Sequence, residues 1–138
     1  MAVRAVQLGS PRTAGEGLRI GTVRRPPRGV KKSEYAARDY YDVWLPELAP
    51  SEELRAWVMS GPITGQRWKT FVRRYRTEMA APPAARLLAL LRGLARTTNF
   101  SIGCYCVDES RCHRSHLAPR APDHPGRGTR QFQIPVVR

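Results

Sequence analysis

Residues 100–106 read Phe100-Ser-Ile-Gly-Cys-Tyr-Cys106, and this stretch decides the fold. Phe100, Ile102, Cys104 and Cys106 alternate on one face of a mostly apolar run that follows a helical pattern. Short apolar runs in that position are typical of the central strands of parallel sheets. The sequence therefore predicts a buried strand whose carboxyl end passes directly into a polar loop.

Three helices are predicted upstream of this strand. Ser51 precedes two acidic residues and an apolar pattern, as expected of a helix N-cap. Thr64 precedes an apolar stripe at helical spacing that runs to Met79, and Pro82-Pro83 suits the first turn of a leucine-rich third helix.

A second strand is predicted at Leu18-Arg-Ile-Gly-Thr-Val23, which ends where the proline-rich stretch begins. Residues 1–17 lack periodicity, so we expect a flexible N-terminal arm. Residues 131–137 are predicted to form a last edge strand. The fold class expected is α/β: a single three-layer domain over residues 18–138, with a short, mainly parallel sheet and helices on its faces.

Composition narrows the partners of this chain. Among its 138 residues, 24 are Lys or Arg and 11 are Asp or Glu, so the formal net charge is +13. Such a charge attracts nucleic acid or small anionic ligands without conferring specificity. No stretch reaches the roughly 18 apolar residues of a membrane span, and the N-terminus is too weakly apolar for a signal peptide. We therefore expect a cytoplasmic protein with no membrane partner.

The chemistry is expected in Cys104-Tyr-Cys-Val-Asp-Glu-Ser-Arg-Cys-His-Arg114, where the strand meets its loop. Ligands of open α/β sheets bind at such carboxyl ends. Cys106 is the candidate nucleophile, because Arg111 and Arg114 would favour its thiolate. Two features disfavour a loop that binds an oxyanion beside Cys106: Asp108 and Glu109 would repel the anion, and no glycine relieves the turn.

Two other interpretations of the cysteines remain open. Cys104, Cys106, Cys112 and either His113 or His116 have the atom types of a zinc or iron site, although their spacing lacks the usual separated pairs. The thiols could equally be small residues that fill a strand face. No cofactor is predicted, and the odd, crowded cysteine count fits reduced thiols.

Basic residues follow the first predicted strand, namely Arg24, Arg25, Arg28, Lys31 and Lys32. If the two strands are parallel, both loops leave the sheet at one edge and form a cationic pocket. There Arg24, Arg111 and Arg114 would clamp an anion, and His113 would donate or accept a proton. The alternative is a non-catalytic basic module that binds nucleic acid non-specifically or an acidic protein.

Four motifs give the chain a family resemblance. They are Leu18-Arg-Ile-Gly-Thr-Val-Arg-Arg-Pro-Pro-Arg-Gly-Val30, Tyr40-Tyr-Asp-Val-Trp-Leu-Pro-Glu-Leu-Ala-Pro-Ser51, Phe71-Val-Arg-Arg-Tyr-Arg76 and Cys104-Tyr-Cys-Val-Asp-Glu-Ser-Arg-Cys-His-Arg-Ser115. In these motifs the chain resembles the domain of unknown function 488 family, over about residues 18–117.

The resemblance implies a small α/β protein of the bacterial or archaeal cytoplasm, and it names no reaction. The family's strand ending in Cys, its acidic loop and its Cys-His-Arg-Ser map here onto Cys106, Asp108, Glu109, Cys112, His113, Arg114 and Ser115. That recurring acidic loop implies that Asp108 and Glu109 orient Arg114 or His113. Many relatives have Asp-Val-Arg where this chain has Thr22-Val23-Arg24, so this pocket lacks a carboxylate and is more cationic.

Overall fold

Four parallel strands form the sheet of the computed structural model, which describes residues 3–106. The strands are β1 (Val3–Gln7), β2 (Leu18–Gly21), β3 (Val43–Trp44) and β4 (Phe100–Cys104), and they lie in the order β1-β4-β2-β3. β4 is paired on both sides and all five of its residues are buried. The predicted central parallel strand is therefore confirmed.

The N-terminal segment departs from the expected flexible arm. Val3–Gln7 form the edge strand β1, in register with Phe100–Cys104, and the Leu8 amide continues the pairing by donating to the Cys104 carbonyl at 2.9 Å. This strand is short and lies far from its partner in sequence, so its local pattern gave no sign of the pairing.

Three helices pack together against one face of the sheet. They are α1 (Glu52–Met59), α2 (Gly65–Met79) and α3 (Ala84–Leu94). The predicted N-caps are confirmed, since Ser51 Oγ accepts from the Leu54 amide and Thr64 Oγ1 from the Arg67 amide. The core cluster joins the apolar sides of these helices to the sheet residues Val3, Ile20, Phe100 and Ile102.

Loops cover the opposite face of the sheet in the described residues. Gly21 and Gly103 are neighbours across β2 and β4, and neither leaves room for a Cβ atom. A Cβ on Gly21 would overlap the Tyr41 ring, and one on Gly103 would overlap Leu8. Over residues 3–106 the third layer thus consists of loop segments and a short 3-10 turn at Lys32–Glu34.

A buried arginine holds this loop layer together. Arg19, on β2, is fully buried, and its guanidinium donates to both carboxylate oxygens of Glu16 at 2.9 and 3.1 Å. It also donates to the carbonyls of Ser10 and Asp39 at 2.8 and 2.7 Å. A single side chain therefore connects three loop positions to the sheet.

The edge strand expected over residues 131–137 lies outside the described residues. Across residues 3–106, no helix has the length and apolar character needed to cross a membrane.

Candidate functional site

The carboxyl ends of β2 and β4 lie side by side. Leu18–Gly21 pair in parallel with Phe100–Gly103, and the Thr22 amide donates to the Gly103 carbonyl at 2.9 Å. The loop after Val23 and the segment after β4 therefore leave the sheet at the same edge. This confirms the predicted juxtaposition, and it places the site where open α/β sheets bind ligands.

A pocket of about 250 Å³ opens at this edge. Its apolar wall comes from α1, α2 and the connection between them. Two thiols, three arginines and one glutamate also line it. The lining includes Val58, Met59, Ile63, Trp68, Phe71, Cys104, Tyr105, Cys106, Arg24, Arg25, Arg55 and Glu52.

Cys104 and Cys106 both line the pocket but differ in access. Cys104 ends β4 and is 6% exposed, whereas Cys106 lies beyond the strand and is exposed. Their sulfur atoms are 3.5 Å apart, within the range of a weak S–H···S hydrogen bond. The predicted nucleophile is therefore the accessible member of a thiol pair.

Tyr105 fixes the backbone between these thiols. Its hydroxyl donates to the Arg25 carbonyl at 2.9 Å, and its ring meets that of Tyr40 edge-on at 6.4 Å. Gln7 Nε2 donates to the Tyr105 carbonyl at 3.3 Å. Burial raises the pKa of Tyr105, so the phenol remains a donor at neutral pH. The segment after β4 is thus tied to both β1 and the loop after β2.

The three arginines of the pocket differ in the hydrogen bonds and ion pairs that they already form. Arg24 donates to the carbonyls of Ala49 and Pro50, at 3.3 and 3.1 Å, so part of its guanidinium joins this loop to the start of α1. Arg25 pairs with Glu52 at 3.4 Å through exposed side chains. Arg55 is exposed on α1 and has no ion pair with a described residue. Among the three arginines that line the described pocket, Arg55 is thus the one whose charge is not engaged by a described acidic residue or carbonyl.

The remaining predicted basic residues do not reach the pocket. Arg28, Lys31 and Lys32 are exposed and are not part of its described lining. Pro26 and Pro27 follow Arg25, and Lys32 begins the short 3-10 turn. Only Arg24 and Arg25 of this basic loop belong to the site.

Most of the predicted chemistry lies outside the described residues. This applies to the orienting pair Asp108 and Glu109, the anion-binding Arg111 and Arg114, and the proton-transfer candidate His113. Of the alternative metal ligands, Cys104 and Cys106 are described, whereas Cys112, His113 and His116 are not. Residues 3–106 contain no group of three or more His, Cys, Asp or Glu side chains arranged to hold a metal ion.

Sequence reasoning missed Arg55 and the apolar wall of the pocket. Met59 and Ile63 are large apolar side chains that remain 65% and 38% exposed. In the sequence they stand at the end of α1 and in the following connection, beside Gly61-Pro62. Apolar residues at a helix end were the available signal, but only the tertiary fold shows that they face the thiols.

These features define an α/β domain with a thiol-bearing pocket at the carboxyl edge of a parallel sheet. The chain belongs to the DUF488 family, because the model DUF488-N3a, described as the active DUF488-N3 subclade, matches residues 3–120. The resemblance seen in the four sequence motifs is thereby confirmed. A search of curated proteins and a search of solved structures found no significant match.

Proposed function

We propose that this pocket binds a small anionic or electrophilic ligand and that Cys106 reacts with it as a nucleophile. The observation that carries the proposal is the exposed Cys106 thiol, which opens onto a pocket shared with three arginines. Nearby positive charge favours the thiolate, which is the reactive form of cysteine.

The pocket combines an apolar wall with a cationic side. Val58, Phe71 and Trp68 offer a surface for the carbon skeleton of a ligand, while Arg55 and Arg25 offer charge for its anionic group. Binding sites of this kind use apolar contact for affinity and a few charged groups for orientation. In the proposed site, Arg24, Arg111 and Arg114 assist in anion binding, His113 transfers a proton, and Asp108 and Glu109 orient these groups.

The test compares two alkylating reagents that differ in charge. Iodoacetate is an anion and iodoacetamide is its neutral counterpart. The rate with iodoacetate divided by the rate with iodoacetamide at Cys106 therefore reports the charge of the pocket. In a Cys112→Ser background, we expect Arg55→Gln to lower this ratio several-fold. Arg76→Gln, which removes an exposed arginine of α2 outside the pocket lining, should leave the ratio unchanged.

The alkylation sites are assigned by peptide mass mapping. Cys106→Ser should abolish the fast reaction, whereas Cys104→Ser should retain it. An iodoacetate preference that is equal in the Arg55→Gln and Arg76→Gln proteins would show that overall charge, and not this pocket, attracts the anion. A Cys106 thiol no more reactive than an ordinary exposed cysteine would exclude it as the nucleophile.

A second candidate function is a non-catalytic basic module for nucleic acid. The net charge of +13 favours it, as does the cluster in which Arg67 and Arg74 lie over the Trp57 ring at 4.4 and 5.1 Å. However, Arg67 also donates to the Trp57 carbonyl and to Ser60 Oγ, so its guanidinium serves the α1–α2 connection. The thiol pocket is therefore the better-supported site.

A further inference from the structure

Cys104 and Cys106 are arranged as a buried thiol behind an accessible one. Their sulfur atoms are 3.5 Å apart, and a disulfide requires about 2.05 Å. Cys104 is held in the sheet through its pairing with Gln7, whereas Cys106 lies beyond the last strand residue. A modest movement of Cys106, which lies outside the sheet, would bring the two sulfur atoms to bonding distance.

We propose that the electrophile of this site is the disulfide of a carboxylate-bearing low-molecular-weight thiol, and that Cys106 and Cys104 reduce it as attacking and resolving thiols. This inference rests on the proposed function, since it specifies the ligand class of the same pocket. The carboxylates of such a disulfide match Arg25 and Arg55, and its carbon chain matches the apolar wall.

The reaction balances in two exchange steps. The Cys106 thiolate attacks one sulfur of the substrate disulfide, forms a mixed disulfide and releases the other half as a thiolate. Cys104 then gives its proton, through solvent, to the thiolate released in the first step, and its sulfur attacks Cys106 Sγ, which expels the second half as a thiolate that solvent protonates. The protein gains a Cys104–Cys106 disulfide, and the substrate disulfide is reduced to two thiols.

The difference in access assigns the order of the two thiols. The exposed Cys106 is the more accessible thiol for an incoming disulfide, whereas the buried Cys104 lies 3.5 Å from it, where its sulfur can attack the mixed disulfide formed on Cys106. Reaction in the reverse order would place the substrate on the less accessible of the two sulfur atoms. The pair therefore predicts that removal of Cys104 traps the mixed disulfide on Cys106.

The experiment uses full-length protein in the reduced form, exposed to glutathione disulfide and quenched with acid before intact-mass measurement. The Cys112→Ser protein should lose two hydrogens and retain no glutathione. The Cys104→Ser/Cys112→Ser protein should accumulate one glutathione on the Cys106 thiol. In Cys106→Ser/Cys112→Ser, glutathione should be incorporated at least about tenfold more slowly. Peptide mapping of the wild-type chain should locate the new disulfide between Cys104 and Cys106.

The outcomes separate this inference from the proposed function. If the Cys112→Ser protein keeps its glutathione as the Cys104→Ser/Cys112→Ser protein does, Cys104 does not resolve and the inference is overturned, although Cys106 remains a nucleophile. If Cys106 reacts with neither alkylating reagents nor glutathione disulfide, both proposals fail. A far-UV circular dichroism spectrum and a thermal unfolding midpoint close to those of the wild type check that the fold of the Cys104→Ser protein survives the substitution.

Discussion

At the scale of single residues, Arg19 is the arginine of the described structure whose charge is fully buried. It is fully buried beside Glu16, which is 3% exposed, and the two form a bidentate pair. Removal of one partner from a buried pair leaves an uncompensated charge, which costs about 3–5 kcal/mol. We expect Arg19→Met to lower the free energy of unfolding, measured with urea, by about this amount.

The control for Arg19 is Arg25→Gln. The Arg25–Glu52 pair is exposed at 72% and 49%, so solvent screens it and its loss should change stability little. A second check adds Glu16→Gln to Arg19→Met, which removes the stranded carboxylate and should restore part of the stability. An Arg19→Met protein as stable as the wild type would show that the buried pair does not hold the loop layer.

A single tyrosine is expected to shape the alkaline limit of stability. Burial, with a smaller effect of the nearby Tyr35, raises the pKa of Tyr41 from 10.0 to about 12. The unfolded chain therefore ionises at this position first, so the stability from neutral Tyr41 is intact below pH 10 and is lost as the pH rises toward 12. The free energy of unfolding, measured with urea at pH values from 9 to 12, should decrease less steeply with pH for Tyr41→Phe than for the wild type. The difference in slope should correspond to about one proton. Identical slopes would contradict the burial of this phenol.

At the scale of elements, the glycine pair of β2 and β4 sets the distance between the sheet and its loop layer. Gly21→Ala would press a methyl group into the Tyr41 ring, and overpacking of this kind costs about 1–3 kcal/mol. The matched control is Gly93→Ala in α3, where the new methyl group has open space and the helix gains about 0.5–1 kcal/mol. Thermal unfolding of the two variants should shift in opposite directions. A stabilised Gly21→Ala protein would mean that Tyr41 does not rest on the sheet.

The same elements show which features a sequence can reveal. Ser51 and Thr64 marked their helix starts because a cap acts on amides only a few residues away. β4 was predictable because its apolar run is continuous. Burial of Arg19 was not, since a charged side chain on a strand is normally exposed, and its partners Ser10 and Asp39 come from separate loops.

The candidate site likewise has residues that local sequence could predict and residues that only tertiary contacts reveal. Cys106 and Arg24 were found because the chain places each directly after a strand. Arg55 and the apolar wall depend on how α1 and α2 pack over the sheet edge, which is a property of tertiary structure. Local sequence therefore predicted that Arg24 and Cys106 lie at this edge of the sheet, and non-local packing brings the other lining residues to it.

At the scale of the whole molecule, the net charge of +13 predicts non-specific attraction to polyanions. Binding of a labelled DNA duplex should weaken at least about tenfold between 50 and 200 mM salt, because the affinity comes from counterion release. Cys106→Ser should not alter it. Salt-resistant binding, or a loss with Cys106→Ser, would indicate instead that the thiol pocket itself contacts nucleic acid.

The order of strands in the sheet has a consequence for biosynthesis. β1 and β2 are not neighbours, and β4, which lies between them, is the last of the four to be translated. A nascent chain that ends before Phe100 has β1 and β2 but not the strand that joins them, so the pairing of β1 with the rest of the sheet waits for β4. Because Cys104 ends that strand and Cys106 follows it, the two thiols emerge from the ribosome together with the strand that joins β1 to β2. The other described residues that line the pocket all precede Cys106 in the chain, so they have already been translated when this thiol emerges.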